Sequence, residues 1–552
     1  MTTGRIRFIA TAFVSIILLL VARILYIQLY LGNDLTIQAT AQKIVAMPFG
    51  ASRGNILDRN LIPLTNRSQK YDLIIKPLEF KNNNKINEIS QILGLDFSDV
   101  KKNIEARKEP LLIEIDKDKR DLLKKENLYG LSLINSLKRY DQSTPAKHVL
   151  GYLNKTDMVG ETGIEKFYDN TLRSKSPNKV GVIMDGEKNN LIAGLGYRLI
   201  KTQDTSEKMN IKLTLDYNIQ RISENVIDKY NLKGAVVIEE VSTGKIVAMV
   251  SKPDFNPNSV GDYLQSPNNE LFNRAVASYN LGSIFKIIDL ASAYSKNIDP
   301  PIFYFCPGYV MLGDREFRCS TYAEGGHGQI DLHEAFASSC NPYFIELGIR
   351  TGDTAIIDMA KKFGLGMETG ISSQGIAESS GNLPMPNNIL THGDIANLAT
   401  GQGDVMATPL QVADMVATIA NGGIKNKINI VDSIVDSEGK TIKLLGNNEG
   451  KRIIDKHICD KIKNLMEEVT ISGTGIRANL DEYGGAGGKT GSAETGQYIG
   501  GEKIVHAWFA GYFPRLDPKY SISVFIENGK SGGTVAAPIF EEIARNILML
   551  GL

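Results

Sequence analysis

Net charge is the first thing this chain lacks. Across 552 residues, 62 lysines and arginines balance 62 aspartates and glutamates. That neutrality argues against a polyanion-binding surface, and no segment reads as a nucleic-acid-binding module. Internal repeats and low-complexity tracts are also missing, which excludes solenoid and array architectures. Cysteine is scarce, and of the four present Cys306, Cys319 and Cys340 share one stretch while Cys459 stands apart. The length allows two to four domains with an ample core.

One long, almost continuous apolar run is present, from Phe8 to Leu31, broken by Arg23 and Gln28. It is long enough to span a bilayer. Arg5 and Arg7 precede it, so the positive-inside tendency places residues 1–7 in the cytoplasm and the rest of the chain outside. Ala39-Thr40-Ala41 resembles a signal-peptide cleavage site, but the run is too long for a signal peptide and ends well before it, so an uncleaved anchor over residues 8–31 is expected. Arg23 is expected to snorkel or to meet a polar partner.

Residues 42–205 read as an irregular α+β module. It holds the turn-rich Arg53-Gly54-Asn55-Ile56-Leu57-Asp58-Arg59-Asn60 and a stretch rich in lysine and asparagine with helical patches such as Lys85 to Leu93. Lys201 to Met209 is polar and reads as a linker. Residues 211–552 change character. Gln220 to Tyr230 has helical periodicity, and Gly234–Glu240 and Lys245–Ser251 are β-branched runs around a Ser242-Thr243-Gly244 turn. A long, mostly helical insert follows, then strands at Val505–Tyr512 and Tyr520–Glu527, then a closing helix from Pro538 to Leu550. The expected fold is α+β: a transmembrane helix, an elongated α+β pedestal, and a head with a five-stranded antiparallel sheet and a helical insert.

Three short motifs carry chemistry. Ser283-Ile284-Phe285-Lys286 places a lysine one helical turn after a serine, at the start of a helix reading from Ile284 to Tyr294. Unpaired N–H groups there favour developing negative charge. A serine hydroxyl becomes a useful nucleophile only when a base takes its proton, and a lysine serves only if burial or a nearby cation lowers its pKa. Alone, the motif reads more simply as a serine cap with a solvated lysine. Ser339-Cys340-Asn341 lies between helical patterns at His333–Ala337 and Pro342–Ile349. Its hydroxyl can relay a proton and its amide can hold a substrate; alone it is an ordinary polar turn. Lys489-Thr490-Gly491 follows a glycine run. A phosphate loop would need glycine at position 483, where Tyr483 stands, so a strand edge open to a substrate backbone fits better. Lys489 and Thr490 would then bind a terminal carboxylate, and the N–H groups of Ser283 and Ser492 would form an oxyanion hole. The ordered trio, outside a membrane anchor, favours serine acyl transfer over three unrelated turns.

Cys306, Cys319, His327 and Cys340 make up a Cys₃His set, a common structural zinc combination. The competing reading is a Cys306–Cys319 disulfide, which suits an extracytoplasmic domain, with Cys340 a small buried residue and His327 bound to backbone.

With those residues in view, the chain resembles the class B penicillin-binding proteins along essentially its whole length. Arg53-Gly54-x-Ile56-x-Asp58-Arg59 is similar to the motif opening that family's pedestal, a dimerisation-type domain. Gly282-Ser283-x-Phe285-Lys286, Ser339-x-Asn341 and Lys489-Thr490-Gly491 are similar to its three active-site motifs, and Gly401-Gln402-Gly403 with Thr408-Pro409-Leu410-Gln411 is another family-like segment. The resemblance implies a bitopic D,D-transpeptidase that cross-links peptidoglycan stem peptides, is acylated by β-lactams and pairs with a SEDS-type membrane glycosyltransferase. It casts Ser283 as nucleophile, Lys286 as the base for acylation, Ser339 and Lys489 as the proton path to the leaving group, Asn341 as holder of the acyl chain and Thr490 as carboxylate binder, with Gly491 and Ser492 beside the substrate. No cofactor is implied for catalysis. The sequence departs from the pattern at Tyr279-Asn280-Leu281, where many relatives have an acidic residue and proline, and at Ser492, where threonine is common; neither removes a needed group. A D,D-carboxypeptidase, a β-lactam hydrolase or sensor, and a non-catalytic scaffold are the alternatives, although no deacylating glutamate motif is evident.

Overall fold

The apolar run forms one helix, Thr2–Tyr26 (α1), continued by a π-helical turn at Ile27–Leu31. The computed structural model describes residues 2–31, 44–48, 53–75, 77, 83–106, 111–126, 131–154, 156–173, 179–183, 197–200, 209–385, 391–446 and 449–552. The described side chains of α1 find no protein cover; Phe8 and Leu19, for example, are 76% and 71% exposed. Such a surface is stable only in an apolar medium, and Arg7–Leu31 is long and apolar enough to cross a membrane. The Ala39-Thr40-Ala41 segment, and the expected linker apart from Met209, lie outside the described residues.

The chain packs as two units. The first comprises Met1–Arg53, Ser68–Lys138 and Ser174–Ser206. Its centre is an antiparallel sheet in which Ser68–Ile75 (β1) lies between Leu111–Ile115 (β2) and Leu131–Lys138 (β3). Helices Asn83–Leu93 (α2), Phe97–Glu105 (α3) and Lys117–Glu126 (α4) cover one face. Leu73 and Ile75, two apart on β1, point into a core with Ile86, Ile89, Val100, Ile104 and Leu123. A second antiparallel sheet joins Ile44–Pro48, Lys179–Ile183 and Tyr197–Ile200.

The second unit comprises Gly54–Arg67, Arg139–Arg173 and Glu207–Leu552. Two segments expected in the pedestal belong here, for reasons of long-range pairing. Ile56–Leu57 adds a parallel strand to Asn210–Leu213 (β4). Arg139 forms a buried ion pair with Glu165 at 2.6 Å and donates to the Gly54 carbonyl at 2.7 Å.

The core sheet of this unit runs in the order Lys245–Lys252, Gly234–Glu240, Tyr520–Ile526, Glu502–Phe513, Gly487–Ile499, with every pairing antiparallel. In chain order these strands are β5 (Gly234–Glu240), β6 (Lys245–Lys252), β7 (Gly487–Ile499), β8 (Glu502–Phe513) and β9 (Tyr520–Ile526). Both faces of the sheet are buried, which explains the unbroken apolar runs in the sequence. Val236 and Ile238 face a core shared with helices Tyr217–Tyr230 (α5) and Ala537–Met549, while Ala235 and Val237 face the larger core beneath the helical insert. Asp216 starts α5 by accepting from the N–H groups of Asn218 and Ile219. Helix Pro409–Ala420 is buried on all sides, as its nearly all-apolar sequence requires, and the Thr408/Gln411 capping box satisfies its N-terminus. Burying one side chain such as Phe509 contributes about 1.5–3 kcal/mol. One edge of the sheet, β7, carries the third motif.

Candidate active site

The serine is placed by two glycines. Gly282 has φ +56°, and a Cβ there would approach the Ser492 carbonyl oxygen to 2.7 Å. Its N–H donates to the Gly401 carbonyl at 2.9 Å. Gly491 meets the same turn from β7, where a Cβ would lie 2.9 Å from the Leu281 carbonyl. Backbone therefore packs directly on backbone, which only glycine permits. Ser283 sits in the resulting 3₁₀ turn, Gly282–Phe285, which takes the place of the first residues of the helix expected from Ile284 to Tyr294. The helix proper, Lys286–Ser295 (α6), begins one turn later. The tighter turn holds the serine and its N–H beside the edge strand at Ser492.

Lys286 and Lys489 are both fully buried. Lys286 Nζ donates to the Ser339 carbonyl at 2.7 Å, to Asn341 Oδ1 at 2.9 Å and to Ser339 Oγ at 3.2 Å. Lys489 Nζ donates to Ser339 Oγ at 3.0 Å and to the Thr490 carbonyl at 3.2 Å. The hydroxyl of the second motif thus bridges the lysines of the first and third. The sequence leads one to expect Lys286 to reach Ser283; here its hydrogen bonds run to Ser339 and Asn341, and such contacts commonly tighten only when substrate arrives. These hydrogen-bond partners are all uncharged oxygens, and burial outweighs the opposing pull of Cys340, Cys319 and Asp289 on Lys286. Burial lowers the Lys286 pKa to about 8 and, together with the Lys286 charge, drives Lys489 well below its ordinary value.

Ser339 lies between Leu332–Ala337 (α7) and Asn341–Thr351 (α8) with φ +61°. A left-handed non-glycine residue costs about 1–3 kcal/mol and persists where its surroundings hold it. The conformation turns the Ser339 hydroxyl and carbonyl toward the lysines. Asn341 is oriented from both ends: Oδ1 accepts from Lys286, and Nδ2 donates to the Arg318 carbonyl at 3.0 Å.

Thr490 Oγ1 lies 2.6 Å from Thr474 Oγ1, and Thr474 donates through both N–H and Oγ1 to the Ala337 carbonyl. Thr474 was not foreseen. Its only signal was the turn-like Ser472-Gly473-Thr474-Gly475 after a helix, which gives no hint of the strand it faces. A cavity of about 670 Å³ opens over these groups, with Ser283, Ser339, Asn341, Thr474, Thr490 and Ser492 on its wall. Arg318 and Arg477 line it too and were also unforeseen, and Gln402, from the family-like Gly401-Gln402-Gly403, joins them. The eight expected site residues, seven from the three motifs plus Ser492, are gathered here, Gly491 as packing contact and the others at or beside the cavity.

Ser339-Cys340-Asn341 also serves a second cluster. The Sγ atoms of Cys306, Cys319 and Cys340 and a ring nitrogen of His327 all lie within 4.8 Å of one another. Cys319 Sγ is 4.0 Å from Cys340 Sγ and 3.5 Å from His327 Nδ1. Tetrahedral zinc bonded at about 2.3 Å to sulfur and about 2.0 Å to nitrogen sets such ligand atoms roughly 3.5–3.8 Å apart. The donor set and its spacing fit zinc. All four cysteines are free thiols, so the expected alternative, a Cys306–Cys319 disulfide, is not formed. Its contact with Cys340 lowers the Cys319 thiol to about 4, toward the thiolate a metal requires.

Two family models match the chain. Residues 234–545 match the penicillin binding protein transpeptidase domain, and residues 48–191 match the penicillin-binding protein dimerisation domain. Stage V sporulation protein D of Bacillus subtilis (strain 168) is 31% identical, with 99% of this chain and 85% of that protein aligned. The peptidoglycan D,D-transpeptidase MrdA of Acinetobacter baumannii is 27% identical over 98% of this chain and 87% of its own. Among solved structures, a chain of a peptidoglycan synthase complex that coordinates polymerization and crosslinking superposes with TM-score 0.71 at 26% identity, covering 98% of both chains. PBPA from Mycobacterium tuberculosis superposes with TM-score 0.62 at 26% identity, covering 75% of this chain and 94% of that one.

Proposed function

The chain belongs to the class B penicillin-binding proteins and is a peptidoglycan D,D-transpeptidase; within that activity we propose that Ser283 carries the acyl group and that Lys286, Ser339 and Lys489 move its protons. The observation that carries this reading is Ser339 Oγ, held at 3.2 Å and 3.0 Å from two buried lysines.

Ser283 Oγ attacks the carbonyl carbon of the penultimate D-alanine while its proton passes to Lys286, whose neutral form burial favours. The oxyanion gathers on the N–H groups of Ser283 and Ser492. The leaving D-alanine takes a proton through Ser339 from the lysine pair, and its carboxylate rests on Thr490, backed by Thr474. The amine of a second stem peptide then attacks the ester carbonyl, gives up its proton along the same path and restores Ser283. Asn341 holds the acyl chain throughout, and Gly491 lets it approach the β7 edge.

Cys306, Cys319, His327 and Cys340 would hold a structural zinc ion. When bound, the metal would tie the insert to the motif that contains Ser339. Metal analysis of the purified protein, with thiol titration, tests this: one zinc per chain is expected, and no zinc with thiols blocked at Cys306 and Cys319 overturns it. The apolar helix anchors the chain with Arg5 and Arg7 on the cytoplasmic side and the catalytic unit outside. A membrane glycosyltransferase of the SEDS type is the partner, by analogy with the synthase complex.

Labelling with a fluorescent penicillin tests the serine assignment. The full chain is expected to label covalently and Ser283→Ala not to label. Equal labelling of the variant, or none of the folded wild type, contradicts it.

A further inference from the structure

Helix α6 buries an acid as well as a base. Lys286 to Ala293 are all buried, and the run is apolar apart from Lys286, Asp289 and Ser292. Asp289 is 0% exposed, and neither of its carboxyl oxygens has a hydrogen-bond partner among the described residues. Ser292 Oγ, one turn further, is buried in the same condition. A carboxyl so placed costs folding free energy that an apolar side chain of similar size would not. An unsatisfied group of this kind in a native core points to function.

The helix sets its place relative to the base. Residues three apart are neighbours on one face, with Cβ atoms about 5–6 Å apart, so Asp289 stands one turn behind Lys286. Lys286 Nζ gives its hydrogen bonds to Ser339 and Asn341, and the carboxyl acts on it through space. The surroundings isolate the pair. α8 and the helices Asp353–Lys362 and Lys456–Ile471 pack against α6, and none of them buries an Asp, Glu, Lys, Arg or His. Their buried titratable groups are Cys459 and Tyr343, whose hydroxyl donates to the Pro301 carbonyl at 2.6 Å. Among the described residues, Lys286 is the one charge that bears on the Asp289 carboxyl. Lys286 in turn stands near Cys340, Cys319 and Asp289, which favour its ammonium, and near the cationic Lys489 across Ser339.

The two buried lysines differ in this respect. Both are bonded to uncharged oxygens. Lys489 has no acid acting on it and falls well below its ordinary value, whereas Lys286, beside the thiols and the carboxyl, holds at about 8. A base that falls too far accepts a proton weakly. An opposite charge one turn away, out of hydrogen-bond contact, keeps Lys286 strong enough to deprotonate serine while burial still favours its neutral form.

Resting on the reading of Lys286 as the acylation base, we propose that Asp289 is a positioning residue that acts through it: the carboxylate stabilises the ammonium formed when the Ser283 proton passes to Lys286 Nζ. In that step the Ser283 O–H bond breaks, the N–H bond forms and Oγ bonds the carbonyl carbon; Asp289 exchanges no proton.

Stopped-flow penicillin acylation of the full chain, from about pH 6 to 10, tests this with two variants. Asp289→Asn keeps the shape and removes the charge; Asp289→Leu removes the polar atoms as well. Without the carboxylate Lys286 is a weaker base, so the rising limb of the rate should move to lower pH by about one unit, as for one charge acting over several ångströms of protein. The plateau should fall about threefold, because a weaker base takes the proton more slowly. Asp289→Leu should melt no lower than wild type. A purely structural carboxyl predicts the reverse, a lower melting temperature and an unmoved limb. A limb that stays in place in both variants or moves to higher pH overturns the proposal, and so does failure of both variants to fold. Those results leave the base assignment standing when wild type labels and Lys286→Met labels slowly. Labelling of Lys286→Met as fast as wild type overturns the base assignment and this proposal with it.

Discussion

Lys489 and Lys503 lie on neighbouring strands of one sheet and are electrical opposites. Lys489 is fully buried, is bonded to uncharged oxygens and is pushed toward its neutral form. Lys503 is exposed and ion-paired with Glu494, which raises its pKa. Burial that outweighs any countercharge makes an amine a proton carrier, whereas a carboxylate in water keeps it a cation fit for recognition. Lys286 falls with Lys489. The catalytic end of the groove is dry and lysine-rich, and its outer end is wet and ion-paired.

That contrast breaks hardest at Lys286. Lys286→Met keeps the length of the side chain but removes the base, and penicillin acylation should fall by about 10³-fold, as for loss of a general base. A loss of less than tenfold, read by stopped-flow labelling, would move Lys286 out of the proton path. Ser339→Ala should cost about 10²-fold in the same assay, because each lysine then loses its bridge to the other. Ser339→Gly serves as its control, since it relieves the left-handed backbone yet should be equally slow; recovery with glycine would show that strain, not the hydroxyl, matters.

The pH profile sharpens the comparison without a mutation. Lys286 accepts a proton only when neutral, so acylation should rise with pH through about 8 and level off above it. The sign for stability runs the same way. The unfolded lysine titrates near its ordinary value of 10.5 and the folded one near 8, so stability from this group grows as pH rises between them. A rate flat from pH 6 to 9 would contradict a buried lysine base. Thr474→Val should have the smallest effect, about tenfold on carboxylate-bearing donors with little change in melting temperature, because it removes one hydroxyl contact behind Thr490.

Much of this was legible from sequence because the governing interactions are local. Apolar β-branched runs marked strands at Gly234–Glu240 and Lys245–Ser251, and the motif order led one to expect Ser283, Ser339 and Lys489 in one site. What escaped depends on partners distant in the chain. Ile56–Leu57 joins the second unit through pairing with β4, which no local pattern announces. Thr474 matters only because a loop brings it to Thr490. Arg318 and Glu316 lie in an exposed hairpin whose charges look like ordinary surface until a cavity forms beside them. The cysteine set was legible as residue types, but the convergence of all four groups within 4.8 Å was not.

The central claim is that a serine beside two buried lysines carries the acyl group. Intact-mass analysis of the penicillin-treated full chain, followed by peptide mapping, tests it most directly. The account predicts a single adduct on the peptide containing Ser283, absent from Ser283→Ala and formed slowly in Lys286→Met. An adduct on another residue, or one that survives in Ser283→Ala, would contradict it.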